Sequence, residues 1–169
     1  MSDSWDNIAC NNIDHYTGLL DTSDFSYKSL GWGSQESQYI RFKYLLNIDD
    51  LMGKSILDVG CGLGDMYLYL QEHNISVDYT GLDITPKMLE KARSRFPGVK
   101  FIANDLLNNP IDKEYDYLLA SGIFTYINND ISFMKHMIRS MFSCCKKGLA
   151  FNLLSTFSID RDPLEFQGN

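Results

Sequence analysis

The chain has 169 residues, 44% of them hydrophobic and 22% charged, which suits a single globular domain with a sizeable core and argues against disorder. A formal net charge of −7 and a pI near 4.8 argue against a nucleic-acid partner, because nucleic-acid binders concentrate basic residues on one face. The four cysteines and three histidines lack zinc spacing, and no apolar run reaches the roughly 20 residues that span a bilayer, so we expect a reduced, metal-free, cytoplasmic protein without a membrane span.

The N-terminal segment is expected to be an arm or cap (residues 1–33) on the main domain (residues 34–169). Residues 1 to about 30 are polar with scattered aromatic side chains and no clear period, which predicts a loosely structured segment. Ser34 is then expected to cap a helix with an apolar stripe, and Gly53 ends this region.

The rest of the chain alternates between strands and helices. Five strands are predicted, at about 55–59, 77–82, 99–103, 115–120 and 149–154. Thr85 can cap one of the intervening helices, and a longer helix is expected from Asp130 to Gly148, with Lys146 and Lys147 complementing its C-terminus. This alternation predicts an α/β fold with a doubly wound, mostly parallel sheet and helices on both faces.

The segment after the first strand is rich in glycine. Gly60, Gly62 and Gly64 occupy alternate positions, with Cys61 between the first two and Asp58 two residues before Gly60. Glycine lets a backbone turn sharply and pass close to a ligand, because it has no Cβ. Dinucleotide-binding loops have the spacing Gly-x-Gly-x-x-Gly, so a nicotinamide-dependent oxidoreductase is the less favoured alternative.

Polar residues end four of the predicted strands and should meet at one edge of the sheet, where ligands bind. They are Asp58, Asp83, Asp105 and Ser121. The Asp83 carboxylate can accept hydrogen bonds from both hydroxyls of a ribose, or it can cap the following helix. Asp105 can accept from an adenine amino group, with the Leu106 N–H facing a ring nitrogen, or it can form an Asx turn. Met88 can pack on the adenine or belong to the core.

Taken in order, these motifs resemble those of the class I S-adenosylmethionine-dependent methyltransferases, over about residues 30–155. Asp58-x-Gly60-x-Gly62-x-Gly64 looks like the first motif of the family, and Asp83 looks like its acidic residue on the second strand. Asn104-Asp105 is similar to the adenine-side motif, and the segment from Ser121 is similar to the one that lines the methionine end. A bacterial subgroup of these enzymes has residues similar to Trp32-Gly33-Ser34, Gln38 and Arg41-Phe42. The cofactor-binding residues that the resemblance implies are Trp32, Arg41, Asp58, Gly60, Cys61, Gly62, Gly64, Asp83, Ile84, Met88, Asn104, Asp105, Leu106, Ser121 and Gly122.

The resemblance implies a Rossmann-like methyltransferase fold, S-adenosylmethionine as cofactor and S-adenosylhomocysteine (SAH) as product. Asp58 would favour the ammonium group of the cofactor, directly or through water, and it can also brace the glycine turn through backbone N–H groups. Arg41 would either pair with the carboxylate of the cofactor or lie in solvent on the cap helix. The expected function is methyl transfer to a small-molecule acceptor. No catalytic residue and no metal is assigned, since neither Tyr126 nor His136, both after the fourth strand, is marked as a base. Tyr16, Trp32, Tyr126 and Phe157 are possible acceptor contacts.

One departure from the family concerns the end of the sheet. The family has seven strands, the last two forming an antiparallel edge, whereas this chain has five predicted strands followed by about 15 residues, from Ser155 to Asn169. We therefore expect a fold without the last two strands, in a truncated chain or in a homo-oligomer or complex that covers the exposed edge. A cofactor-binding but inactive domain that acts in a complex is the alternative function.

Overall fold

A sheet of five parallel strands organises the residues that the computed structural model describes, which are 2–22, 27–125 and 131–153. The strands are β1 (Ser55–Val59), β2 (Asp78–Asp83), β3 (Lys100–Ala103), β4 (Tyr115–Ala120) and β5 (Cys145–Phe151). They lie in the order β3-β2-β1-β4-β5, and every neighbouring pair is parallel. The strand order reverses between β1 and β4, and the carboxyl ends of these strands flank the crevice where open α/β sheets bind ligands. The predicted doubly wound sheet is confirmed.

Five helices within the described ranges pack around the sheet. They are α1 (Ser2–Thr22), α2 (Gln35–Leu46), α3 (Asp65–Glu72), α4 (Pro86–Arg95) and α5 (Ile131–Ser143), with a 3₁₀ turn at Tyr27–Leu30 between α1 and α2. Side chains of α2, α3 and α4 form one core cluster with Ile56, whereas α5 and Ile8 of α1 form another with Leu57 and Val59 on the opposite face. Because both faces of β1 are covered, its residues read as an apolar run rather than an alternation.

Residues typical of a helix start stand at the beginning of two of these helices. The Ser34 side chain accepts a hydrogen bond of 3.0 Å from the backbone N–H of Ser37, which caps α2 as predicted. Pro86 occupies the first turn of α4, where a backbone N–H has no acceptor within the helix, so proline costs no hydrogen bond there. Thr85 stands at the N-cap position of α4 but makes no side-chain capping bond, and its backbone N–H donates to Asp83.

The N-terminal segment is a helix rather than the loosely structured arm expected from its composition. Ile8, Asn12 and Leu20 are buried and are spaced by four or eight residues, and Tyr16 between them packs against the small cluster that contains Leu20. A spacing of four places these side chains on one helical face. Asn12 is polar and Tyr16 is amphipathic, so the sequence shows no clear apolar period on this helical face.

The end of α5 also differs from the prediction. The helix stops at Ser143, and Gly148 lies inside β5, opposite Tyr117, rather than ending the helix. A Cβ on Gly148 would lie 2.8 Å from Ile48 Cδ1 and 3.2 Å from the Tyr117 ring, so glycine is needed for packing here. Lys147 does not complement a helix terminus; it extends from the strand to Asp116, at 3.2 Å.

Several sequence-based expectations concern residues outside the described ranges. These are Tyr126, the helix start at Asp130, Phe157 and the segment from Ser155 to Asn169. Within the described ranges β5 is an edge strand that pairs with β4. The expectation of a covered or completed sheet edge stays a prediction.

Candidate functional site

A cavity of about 1150 Å³ opens at the carboxyl edge of β1, β2 and β4. The glycine loop between β1 and α3 forms its floor, and parts of α1, α2 and α5 form its walls. Its size exceeds that of most small-molecule pockets, which range from about 300 to 1,000 Å³. There is room for more than one small ligand.

The glycine loop has a backbone that other residues adopt only under strain. Gly60, Gly62 and Gly64 have φ angles of 74°, 52° and 79°. A Cβ on Gly60 would lie 2.3 Å from Ile123 Cγ2, and a Cβ on Gly62 would lie 2.7 Å from Leu30 Cδ2. The absence of side chains thus allows both the turn and the close approach of neighbouring groups over the loop.

Asp83 connects the end of β2 to this loop. Its buried carboxylate accepts hydrogen bonds from the backbone N–H of Gly62 at 2.9 Å and of Thr85 at 2.8 Å. Burial raises the pKa of Asp83, although both backbone hydrogen bonds oppose that shift. The bond from Thr85, at the N-cap position of α4, is the capping alternative. Asp83 also lines the cavity, and its binding of a ribose stays a prediction.

Asp58 lies deeper, at the end of β1. Its carboxylate accepts a hydrogen bond of 2.6 Å from the Tyr79 hydroxyl, and both side chains are buried. Burial raises the pKa of Asp58 to about 7, and the neighbouring Asp83 and Asp65 add to the shift. Cys61 also lines the cavity, and burial raises the pKa of its thiol well above the usual value.

Asp65 is a cavity residue that the sequence analysis did not identify. It follows Gly64 in the first turn of α3 and is buried. Gln38 of α2 donates to it at 3.1 Å, and Arg95 at the end of α4 forms an ion pair with it. Arg95 also donates to the Leu63 carbonyl inside the loop, at 3.3 Å. An acidic residue right after the last glycine was the available signal, and its partners are 27 and 30 residues away.

The loop after β4 forms the opposite wall. Gly122 has a φ of 84°, and the Trp32 ring packs so closely that a Cβ on Gly122 would lie 3.0 Å from Trp32 Cζ2. The Arg41 guanidinium lies over the Trp32 ring, 4.7 Å from its centroid. Asn152, just after β5, binds both Ser121 and Gly122. No sequence motif had marked Asn152.

Most of the predicted cofactor-binding residues line this cavity. They are Trp32, Arg41, Asp58, Gly60, Cys61, Gly62, Asp83, Ile84, Met88, Leu106, Ser121 and Gly122. Gly64, Asn104 and Asp105 are outside its lining. Gly64 lies against Phe96 and Phe101, where a Cβ would meet both rings at 3.1 Å. Asp105 accepts from the Leu107 N–H at 3.0 Å, which is the turn contact named as its alternative.

The structure adds a wall that the sequence analysis had treated as a loose arm. Asn12, His15, Tyr16 and Leu19 of α1 face the cavity. His136, by contrast, is half-buried, contacts the Ser132 carbonyl of its own helix at 2.8 Å and does not line the cavity. His15 is thus the imidazole that the described cavity wall contains.

No helix within the described residues is long and apolar enough to cross a membrane. No group of three or more His, Cys, Asp or Glu side chains there is arranged to hold a metal ion.

Comparison with known proteins identifies the family. A family model for a methyltransferase domain matches residues 56–148, more than half of the chain. Rv1506c of Mycobacterium tuberculosis, provisionally named a methyltransferase, is 35% identical over 109 residues, which cover 62% of this chain and 65% of that protein. Trans-aconitate 2-methyltransferase of Rhizobium rhizogenes is 32% identical over 82 residues, covering 48% of this chain and 32% of that protein. The matches span about a third to two thirds of these curated relatives.

A solved structure shares the fold. Magnesium protoporphyrin IX methyltransferase from Synechocystis PCC 6803, crystallised with bound SAH, has a TM-score of 0.62 and 19% identity, over 86% of this chain and 68% of that chain. The family match, the strand order and the glycine loop agree with one another. The chain therefore belongs to the methyltransferase-domain family, among the class I S-adenosylmethionine-dependent methyltransferases.

Proposed function

We propose that this chain binds S-adenosylmethionine in the cavity at the carboxyl edge of its sheet and transfers the methyl group to a small organic acceptor. The observation that carries the proposal is the glycine loop, which shares one cavity with the buried carboxylates of Asp58 and Asp83. The family match and the two relatives described above support it.

The residues present fit this cofactor in shape and charge. Glycine at positions 60 and 62 lets Ile123 and Leu30 pack directly on the loop, and all four residues line the cavity in which the cofactor is proposed to bind. The methionine portion carries two positive centres, a sulfonium and an ammonium, and buried carboxylates stabilise such charges strongly. Met88 and Leu106, both 1% exposed, provide an apolar wall that suits a nucleobase.

Asp83 retains the capacity to bind a ribose. Each of its oxygens already accepts one backbone hydrogen bond, and a carboxylate has about four acceptor positions. The Thr85 hydroxyl and the Ile84 N–H also interact with this carboxylate, and we propose that the ribose hydroxyls share its acceptor positions with them. Asp58 is proposed to face the ammonium group, and the Leu106 N–H to address the adenine. For Asn104 and Asp105 we propose a supporting role in the turn that presents Leu106.

The proposed reaction needs little acid–base catalysis from the protein. When bound, S-adenosylmethionine supplies a methyl group already activated for transfer by the sulfonium. The chain has to hold an acceptor atom in line with it and to exclude water. Helix α1 is placed for the second task, because Ile8 packs with the cluster of Leu106 and Phe133, and Tyr16 packs with Met88 on the other side of the cavity.

The remaining wall is proposed to bind the acceptor. His15 and Tyr16 of α1 offer an imidazole and a phenol, and Phe133 and Met137 of α5 offer apolar contacts. This mixture suits a compact organic molecule with some hydrogen-bonding groups. The names of the relatives, a trans-aconitate and a magnesium protoporphyrin IX methyltransferase, are in keeping with such acceptors.

Calorimetric titration tests the proposal with three ligands, namely S-adenosylmethionine, SAH and NAD. We expect the first two to bind with one site per chain and NAD not to bind. Binding of NAD without binding of SAH would overturn the proposal. Methyl transfer from labelled S-adenosylmethionine to a panel of small carboxylic acids, phenols and amines then tests turnover.

A further inference from the structure

The side chain of Asn152 holds the loop that follows β4 in a fixed hydrogen-bonding arrangement. Its Oδ1 accepts from the backbone N–H of Gly122 at 2.8 Å, and its Nδ2 lies 3.2 Å from Ser121 Oγ. The backbone N–H of Asn152 also reaches the Ala120 carbonyl, at 3.4 Å. Asn152 thereby joins the end of β5 to the last residue of β4 and to the two residues after it.

These contacts determine the direction of each hydrogen bond. A backbone N–H can only donate, so the atom of Asn152 that faces Gly122 must be the carbonyl oxygen. The other end of the amide is then the NH₂ group, which can only donate. Ser121 Oγ is therefore the acceptor in its bond with Asn152. A hydroxyl that accepts there keeps its own proton to donate elsewhere, and Ser121 lines the cavity.

The surroundings of Ser121 indicate which ligand group meets this proton. The Trp32 ring packs on Gly122, and the Arg41 guanidinium lies over the same ring. A hydroxyl donor and a permanent cation thus belong to one wall. In the methionine portion of the proposed cofactor the ammonium only donates and the carboxylate only accepts. The donor character of this wall matches the carboxylate.

We propose that Asn152 is a positioning residue that makes the Ser121 hydroxyl a hydrogen-bond donor to the methionine carboxylate of the cofactor. The proposal rests on the proposed function, since it takes S-adenosylmethionine as the ligand of the cavity. It assigns the two charged ends of the amino acid to different groups, with the ammonium at Asp58 and the carboxylate at Ser121 and Arg41.

The test compares two ligands that differ only in the amino-acid portion. SAH carries it, and 5′-methylthioadenosine keeps the adenosine and thioether but lacks both charged groups. Asn152→Asp retains an acceptor for Gly122 but replaces the NH₂ donor by a second acceptor, which turns the Ser121 proton away from the cavity. Ser121→Ala removes the donor itself. Asn109→Asp is the matched control, because Asn109 is exposed and outside the cavity lining.

We expect Ser121→Ala and Asn152→Asp each to weaken SAH binding by about tenfold or more, as for a hydrogen bond to a charged group, and to leave methylthioadenosine binding unchanged. Asn109→Asp should change neither affinity. In the double variant, Asn152→Asp should add little to Ser121→Ala, because both act through one hydroxyl. Asn152→Ala adds no charge and should also weaken the binding of SAH but not that of methylthioadenosine. This variant replaces Asn152→Asp in the test if Asn152→Asp does not fold.

Two results would overturn the inference. Equal losses for both ligands would make Asn152 and Ser121 structural residues only, and fully multiplicative losses in the double variant would show that they act independently. A wild-type chain that binds neither ligand would instead contradict the proposed function. Thermal unfolding of each variant confirms that the proteins compared are folded.

Discussion

The Tyr79 hydroxyl donates a 2.6 Å hydrogen bond to the Asp58 carboxylate at the end of β1, and both side chains are buried. Burial raises the pKa of Asp58 to about 7. The hydrogen bond from Tyr79 opposes that shift, whereas the nearby carboxylates of Asp83 and Asp65 add to it. Without a cationic ligand, this carboxyl group is partly protonated near neutral pH.

The first prediction concerns stability against pH. In the unfolded chain Asp58 has an ordinary pKa near 4, so the folded state binds more protons between about pH 4 and 7. The stability that the raised pKa contributes is fully present below about pH 4 and is lost as the pH rises through 7, with a total of roughly 4 kcal/mol. Asp58→Asn keeps an acceptor for Tyr79 but cannot ionise. Urea unfolding at pH 5 and pH 8 should show a smaller loss for Asp58→Asn than for the wild type, and equal losses would contradict the assignment.

The second prediction concerns cofactor affinity and has the opposite pH dependence. Ionised Asp58 attracts the ammonium group of SAH more strongly than protonated Asp58 does. Affinity of the wild-type chain for SAH should therefore rise from pH 6 to pH 8, as measured by calorimetry. The Asp58→Asn variant should show a weaker and flatter dependence. A wild-type affinity that falls over this range would exclude Asp58 as the ammonium partner.

The third prediction separates backbone strain from steric overlap in the glycine loop. Gly60 and Gly53 both have positive φ angles, of 74° and 68°. A Cβ on Gly60 would overlap Ile123, whereas a Cβ on Gly53 has open space around it. Gly53→Ala should cost about 1 kcal/mol of unfolding free energy and preserve SAH binding. Gly60→Ala should cost more and abolish binding, and retained binding would show that the loop does not approach the ligand.

The fourth prediction tests Asp83 against a control at the other end of the same strand. Asp83→Ala should weaken SAH binding by roughly 1.5–3 kcal/mol, the range for a hydrogen bond to a charged group. It should also lower stability, because the Gly62 and Thr85 N–H groups lose their acceptor. Asp78, which begins β2, is 68% exposed in its side chain, so Asp78→Ala should change neither quantity much. Unchanged SAH affinity in a folded Asp83→Ala variant would remove Asp83 from the site.

The fifth prediction concerns the contact between α2 and the glycine loop. Gln38 is 3% exposed and donates to Asp65, so Gln38→Ala leaves a buried carboxylate oxygen without that donor, at a cost of roughly 1–3 kcal/mol. Gln71→Ala is the control, since Gln71 makes its bond to Tyr67 at the surface. Urea unfolding should show a clear loss for the first variant only. Equal losses would mean that the Gln38 contact adds nothing to stability.

The order and type of most elements could be predicted because their signals are local. Alternating helix and strand patterns, Ser34 before α2 and Pro86 at the start of α4 depend on residues close in sequence. Gly148 shows the limit of such signals. It was interpreted as a helix stop, but its role is to leave space for Ile48 and Tyr117, which are distant in sequence.

In the candidate site, too, some residues are marked by local motifs, whereas others depend on partners that are distant in sequence. The glycine loop and Asp83 follow directly from strand ends, and the parallel sheet brings those ends together. Asn152, Asp65 and Gln38 gain their roles through partners 27 to 31 residues away, so no local motif marks them. The cavity wall formed by His15 and Tyr16 depends on α1 folding back over the sheet edge.

The sequence by itself determined the family, the parallel sheet and the glycine loop. Each of them depends on the spacing of residues that are close in sequence and on residues that favour a particular backbone conformation. Only the tertiary structure decided how the hydrogen bonds around the cavity are directed. Asp83 receives the Gly62 N–H, Asn152 orients the Ser121 hydroxyl, and α1 lines part of the cavity. The physical reason is that a donor or acceptor acquires its direction from the partner it meets in space, and most of these partners come from other elements of the fold.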